Sequence, residues 1–191
     1  MPIEFEAQII LHHVLCTVHQ QDFEAVLAYR AANHAHLRPW EPLRTPDLSV
    51  PETMGLRLAK LEDASKHGAA LHLVLKEPAN QSIISEINFT NIVRGPFQAC
   101  HLGFSLDSRW EGQGLMRAAL AASIQWVFQN YGLHRIMANY MPENTRSARL
   151  LASLGFQNEG LAKSYLKING VWTDHVLTSL IAPEPPVNPA E

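Results

Sequence analysis

The chain has 191 residues, 47% of them hydrophobic, and a formal net charge of −3, values that suit one globular unit with a full core. No run of about twenty apolar residues is present to cross a membrane as a helix, and the mild acidity argues against non-specific nucleic-acid binding. The acidic start, Met1-Pro2-Ile3-Glu4-Phe5-Glu6, has no basic n-region and does not read as a secretory signal. A first strand is expected over His12–Val18. A helix then begins near Gln21, with Asp22 as its cap and Phe23, Val26, Leu27 and Arg30 at helical spacing. The segment Leu37–Pro51 holds four prolines and cannot be one regular element. Thr53–His67 reads as a second helix, with Pro51 and Glu52 suited to its first turn. Strands follow over Ala70–Leu75 and Ser82–Val93. After the turn Arg94-Gly95-Pro96-Phe97 the chain returns antiparallel over Gln98–Leu106.

A third helix is expected over Gly112–Asn130, ended by Gly132, then a strand over Arg135–Tyr140 and a short helix ending before Gly155. Phe156–Ile168 and Val171–Ile181 read as strands joined by Asn169-Gly170, a two-residue hairpin turn. The Pro-rich tail 183–191 is expected to be disordered, leaving one domain over 1–182. The sum is an α+β domain with one mixed, mostly antiparallel sheet. Cys16 and Cys100 form no metal or redox spacing, which fits a reduced, cytoplasmic setting. The ten histidines are scattered, and no metal site is expected.

The chain is organised around His101–Leu120. Leu102, Phe104 and Leu106 alternate as in a strand, Asp107-Ser108 turns, and Arg109-Trp110-Glu111-Gly112-Gln113-Gly114 leads into a run of good helix formers from Leu115 and Met116. The first N–H groups of a helix have no partner inside it, and with the helix dipole they form an anion site. Gly112 and Gly114 would let a pyrophosphate approach the backbone. No Lys-Ser or Lys-Thr follows, so this is not a P-loop, and Arg117 stands where a dinucleotide fingerprint has its third glycine. A tight strand-to-helix turn without a ligand is the plain alternative.

Arg109-x-x-Gly112-x-Gly114 after a strand resembles the acetyl-CoA loop of the GNAT N-acetyltransferases. Downstream, Asn144-x-x-Ser147 on a helix and Leu154-Gly155-Phe156 at its end resemble the second half of that core. The run His134–Pro142, the loop Gly112–Met116 and the closing Gly170–His175 are most similar to the branch that acetylates the N-terminal alanine of ribosomal proteins. The resemblance covers about Leu37–Leu180. It implies a GNAT fold with strands splayed at the CoA site, acetyl-CoA as cosubstrate, and a ribosomal protein or the ribosome as acceptor. Neither a membrane nor nucleic acid is an expected partner, and the chain is expected as a monomer or weak homodimer. A GNAT enzyme acting on another amine, or a CoA-binding ribosome-assembly factor, would carry the same motifs.

The resemblance implies a division of roles. Pyrophosphate would rest on the loop of Arg109, Gly112, Gln113, Gly114, Leu115 and Met116. Pantetheine would lie along Phe104–Leu106, where a backbone N–H polarises the thioester carbonyl. Asn144 would bond the pantetheine, or cap its helix, or both. Ser147, on the same helix face, would donate to the leaving thiolate, unless it is only a surface serine. Trp40, between two prolines, is either a plug under a loop or a wall of the acceptor channel, and Tyr140 is a further candidate for binding the acceptor. An α-amine has a pKa of about 7.7–8.0 and needs no strong base. Glu86, among apolar neighbours on its strand, either takes a proton through water or simply faces solvent. Glu111 is expected to turn to solvent. Near the last hairpin, where a relative of this kind carries a glutamate, this chain has Leu166-Lys167-Ile168.

Overall fold

A computed structural model describes residues 4–43 and 51–183. An eight-stranded sheet runs β1 (Glu6–Gln8), β2 (Val14–Thr17), β3 (Leu71–Lys76), β4 (Ile83–Val93), β5 (Ala99–Leu106), β6 (Arg135–Met137), β8 (Val171–Ile181) and β7 (Gln157–Ile168) in spatial order. Every neighbouring pair is antiparallel except β5–β6. The helices are α1 (Phe23–Leu37), α2 (Pro51–Lys66), α3 (Leu115–Tyr131) and α4 (Thr145–Ser153).

The period-2 pattern of β3 separates the two faces of the sheet. Leu71, Leu73 and Leu75 join the cluster packed on α3, whose Leu115, Ala119, Leu120, Ile124 and Val127 fall at helical spacing. Val74 points the other way, into the cluster of Val26, Tyr29, Met54 and Leu58 from α1 and α2. α4 adds Leu151 to the α3 side. The result is helix, sheet, helix, the mixed GNAT-type architecture that the resemblance implied.

Several boundaries differ from the sequence reading, each for a local reason. β1 was not anticipated, because three residues are too few for a readable alternation. A 3-10 turn at Gln20–Asp22 delivers the chain into α1, so Asp22 has φ −82° and ψ 6° instead of the extended backbone a cap needs. Its carboxylate accepts from the His19 N–H at 2.9 Å and from Lys76 Nζ at 2.7 Å. β6 stops at Met137, with a single further bridge from Tyr140 to Val176. Between them the Asn139 side chain takes a ladder position, its Oδ1 accepting from the Thr178 N–H at 3.3 Å. Residues 44–50 of the Pro-rich segment and 184–191 of the tail lie outside the described residues.

The fold opens where the site lies. β5 pairs with β6 only from Ala99 to His101. From Leu102 to Leu106 it keeps β4 on one side, and no described strand pairs with its other edge. Meanwhile Ala138 and Tyr140 turn to β8, donating to the carbonyls of Thr178 and Val176. The sheet therefore parts between Phe104 and Tyr140.

Candidate active site

At the end of β5, Asp107 builds the anion loop. Its side chain accepts from the Arg109 N–H at 2.9 Å, from the Arg109 guanidinium at 2.6–3.2 Å and from Asn33 Nδ2 at 3.2 Å. The guanidinium holds this carboxyl down to about 2. Asn33 and Tyr29, whose hydroxyl donates to Ser105 Oγ at 2.8 Å, fasten α1 to β5. That fastening carries the segment after α1, Arg38–Glu41, over the site. Gly112 and Gly114 lie at φ 74° and 76°, so backbone conformation alone demands glycine at both. Gly114 starts α3 without a side-chain cap, and the first N–H groups that follow have no intrahelical partner.

These elements line a half-open cleft of about 810 Å³. Of the residues singled out from sequence, it gathers Trp40, Phe104, Leu106, Gly112, Gly114, Leu115, Met116, Asn144 and Ser147. A second, smaller cavity of about 210 Å³ holds Tyr140 and continues from the first through Trp40, Phe104, Asn144 and Ser147. Asn144 caps α4, its Oδ1 accepting the Ser147 N–H at 3.1 Å, which leaves its Nδ2 as a donor.

Two expected site residues, Arg109 and Glu86, stand elsewhere, and the side chain of a third, Gln113, is turned away from the cleft. Arg109 is turned back onto Asp107 with its side chain 75% exposed, and it lines a shallow notch beside Gln113, outside the main cleft. The ion pair within the loop has claimed the charge that the motif offered to a phosphate. The Gln113 side chain donates to the Arg109 carbonyl at 3.3 Å, leaving the loop only its backbone. Glu86 does not face solvent; it is 4% exposed, and its carboxylate pairs with Arg30 and, at 3.3 Å, with Arg57. It lines neither the cleft nor the smaller cavity.

Other residues take part that sequence reasoning passed over. Arg117, Arg146 and Arg149 line the cleft from the two helices flanking the anion loop. Glu111, expected in solvent, contacts Arg146 and His36 and so spans α4, the loop and α1. His175 is buried, donates from Nδ1 to the Thr173 carbonyl at 3.1 Å, and lines the smaller cavity. Glu41 lines both cavities. The only advance signal for Glu41 was its place beside Trp40. The arginines are visible only once α3 and α4 are known to converge.

Residues 13–157 match the family described as the acetyltransferase (GNAT) domain. The chain belongs to the GNAT acetyltransferase family. It is 46% identical over 171 residues to the [ribosomal protein uS5]-alanine N-acetyltransferase of Escherichia coli strain K12, covering 90% of this chain and 88% of that one. The crystal structure of the ribosomal-protein-S5-alanine acetyltransferase of Vibrio fischeri superposes with a TM-score of 0.87 at 42% identity, covering 94% and 96% of the two chains. Mycobacterium smegmatis RimJ in complex with CoA-disulfide superposes with a TM-score of 0.85 at 30% identity, covering 95% and 88%. As a GNAT domain, this chain presents the parted β5–β6 edge, the positive-φ loop and the α4 cap around one continuous space.

Proposed function

We propose that this chain is an acetyl-CoA-dependent N-acetyltransferase that acts on the N-terminal alanine of a small-subunit ribosomal protein. The observation that carries the reading is the meeting of two cavities at Ser147. The larger one begins at the anion loop, the smaller one lies under Trp40 and Tyr140, and the thioester and the amine would meet between them. The 46% identity to the E. coli alanine acetyltransferase over nearly the whole chain supports alanine as the acceptor residue.

In this reading the N–H groups from Gln113 to Met116 hold the pyrophosphate, with Arg117, Arg146 and Arg149 adding charge at the cleft wall. The free edge of β5 from Leu102 to Leu106 pairs with the pantetheine arm, and one of its N–H groups polarises the thioester carbonyl. Asn144 offers Nδ2 to the same arm. The neutral amine attacks the carbonyl carbon, the C–S bond breaks, and the Ser147 hydroxyl passes a proton to the sulfur while the proton lost by the attacking nitrogen returns to the serine through water, leaving the amide and the CoA thiol. Glu86, enclosed by two guanidiniums, fixes Arg30 and Arg57 and does not itself meet the amine.

Incubation of the protein with acetyl-CoA and a peptide beginning with free alanine tests the reading. Intact mass should show the gain of one acetyl group at the peptide's N-terminus. Acetylation of a polyamine with none of the peptide would overturn the choice of acceptor.

A further inference from the structure

The acceptor nitrogen has to reach the thioester where the two cavities join. Six residues line both: Trp40, Glu41, Phe104, Ser105, Asn144 and Ser147. Glu41 is the one ionisable side chain among them. It is also the one carboxylate among the described residues lining the smaller cavity.

The carboxylate is held from several directions. Arg30 Nη1 donates to both of its oxygens, at 2.8 and 2.9 Å. The other Arg30 nitrogen pairs with Glu86, which also meets Arg57. Two carboxylates and two guanidiniums cancel, so the cluster has no net positive charge to repel a cation. The Glu41 backbone is pinned as well, its carbonyl accepting the Asn169 N–H at 2.9 Å. A carboxylate offers about four lone-pair positions, of which Arg30 uses one on each oxygen. With 27% of its side chain exposed, Glu41 is sheltered enough for its Coulomb attraction to exceed that in bulk water.

We propose that the Glu41 carboxylate is the seat of the acceptor's α-ammonium, holding the nitrogen at the cavity junction until it loses a proton to solvent water and the neutral amine attacks. The proposal rests on the acetyltransferase reading above and names the residue that recognises the acceptor. Arg30 is a positioning residue for Glu41, and Glu86 is one for Arg30.

The test is calorimetric titration, with CoA present, of an alanine-initiated hexapeptide and of its analogue in which a propionyl group replaces alanine. The two differ in the ammonium alone. The wild type should prefer the ammonium peptide by about tenfold or more, as expected of a charge-assisted hydrogen bond. That preference should fade as pH rises past the amine's pKa of about 7.7–8.0. Glu41→Gln should reduce the preference to near unity, raise KM for the peptide more than it lowers kcat, and leave CoA affinity intact. Glu41→Asp keeps the charge and should keep most of the preference. Equal binding of peptide and analogue by the wild type would overturn the capture of an ammonium. A full preference in Glu41→Gln, or a loss in Glu41→Asp as large as in Glu41→Gln, would overturn the choice of Glu41. A wild type that binds CoA and neither peptide nor analogue would overturn the acceptor reading and this proposal with it.

Discussion

The Oδ1 of Asn144 accepts the backbone N–H of Ser147 at 3.1 Å, so the two polar residues of the Asn-x-x-Ser pattern are locked to each other at the start of α4. This bond fixes the first turn and with it the rotation of Ser147 about the helix axis. Ser147 then stands at the junction of the cavities without spending its own hydroxyl on the cap.

That arrangement separates the two residues experimentally. Ser147→Ala should lower kcat more than it raises KM for acetyl-CoA, because its bond strengthens only as thiolate forms. Its stability should change little. Asn144→Ala should cost about 1 kcal/mol of stability through the lost cap as well as weakening cofactor binding. Rapid-quench rates and urea melts read the two effects. An unchanged chemical rate in Ser147→Ala would remove the hydroxyl from the mechanism.

At the anion loop, Gly114→Asp should weaken acetyl-CoA binding severely. Gly114 sits at φ 76°, a conformation side chains rarely adopt, and a Cβ there would lie 3.7 Å from Ile10 Cδ1. The substitution thus adds backbone strain, and it also adds negative charge at an N-terminus built for anions. Gly114→Ala carries the strain alone and should lose less affinity. Titration calorimetry giving equal losses for both would mean that charge near the loop is irrelevant and that no pyrophosphate rests there.

Much of this was legible in the chain, and the omissions have physical causes. The loop's two glycines announce positive φ, and Asn169-Gly170 announces its hairpin, with φ of 44° and 84° as a two-residue turn requires. Strand alternation located β3, β4, β5 and β8 within a residue or two. The roles of Arg109 and Glu86 were not legible, because a charged side chain's partner depends on tertiary contacts. Arg109 found Asp107 two residues away, and Glu86 found arginines contributed by α1 and α2. Glu41 lay within a stretch whose prolines conceal any periodicity, and only the packing of α1 on β5 brings it to the site.

The Asp107–Arg109 pair gives the loop a pH signature. Asp107 is held at about 2, mainly by hydrogen bonds from Arg109, against an ordinary value of 3.8. A carboxyl depressed in the folded state adds stability above its unfolded pKa, and the gain is lost as pH falls through the folded pKa. The window here is pH 4 down to 2. Asp107 is buried, but the Arg109 side chain is 75% exposed, so solvent screening trims the contribution to about 1–2 kcal/mol. Asp107→Asn should be less stable than the wild type by about that amount at pH 7, and the gap should close as pH approaches 2. Urea unfolding across this range measures it. A gap that persists undiminished at pH 2 would assign the loss to packing instead of charge.

The acceptor side yields the widest test. The closing hairpin and the segment after α1 touch: the Asn169 N–H donates to the Glu41 carbonyl at 2.9 Å, and Arg38 Nε donates to Asn169 Oδ1 at 3.3 Å. The turn is snug, since a Cβ on Gly170 would come within 3.2 Å of Leu43 Cδ1. Beneath this joined rim the smaller cavity of about 210 Å³ is walled by Trp40, Tyr140 and Met141. Such a space accepts a small first side chain and excludes a large one. Alanine- or serine-initiated hexapeptides should therefore show higher kcat/KM than peptides with bulky first residues. They should also surpass free alanine, because backbone beyond the first residue adds binding energy that the amino acid lacks. Trp40→Ala, which removes one wall, should narrow the gap between small and bulky first residues without altering acetyl-CoA affinity. If free alanine or a polyamine proves the better substrate, the protein-acetyltransferase reading fails while the placement in the GNAT family stands.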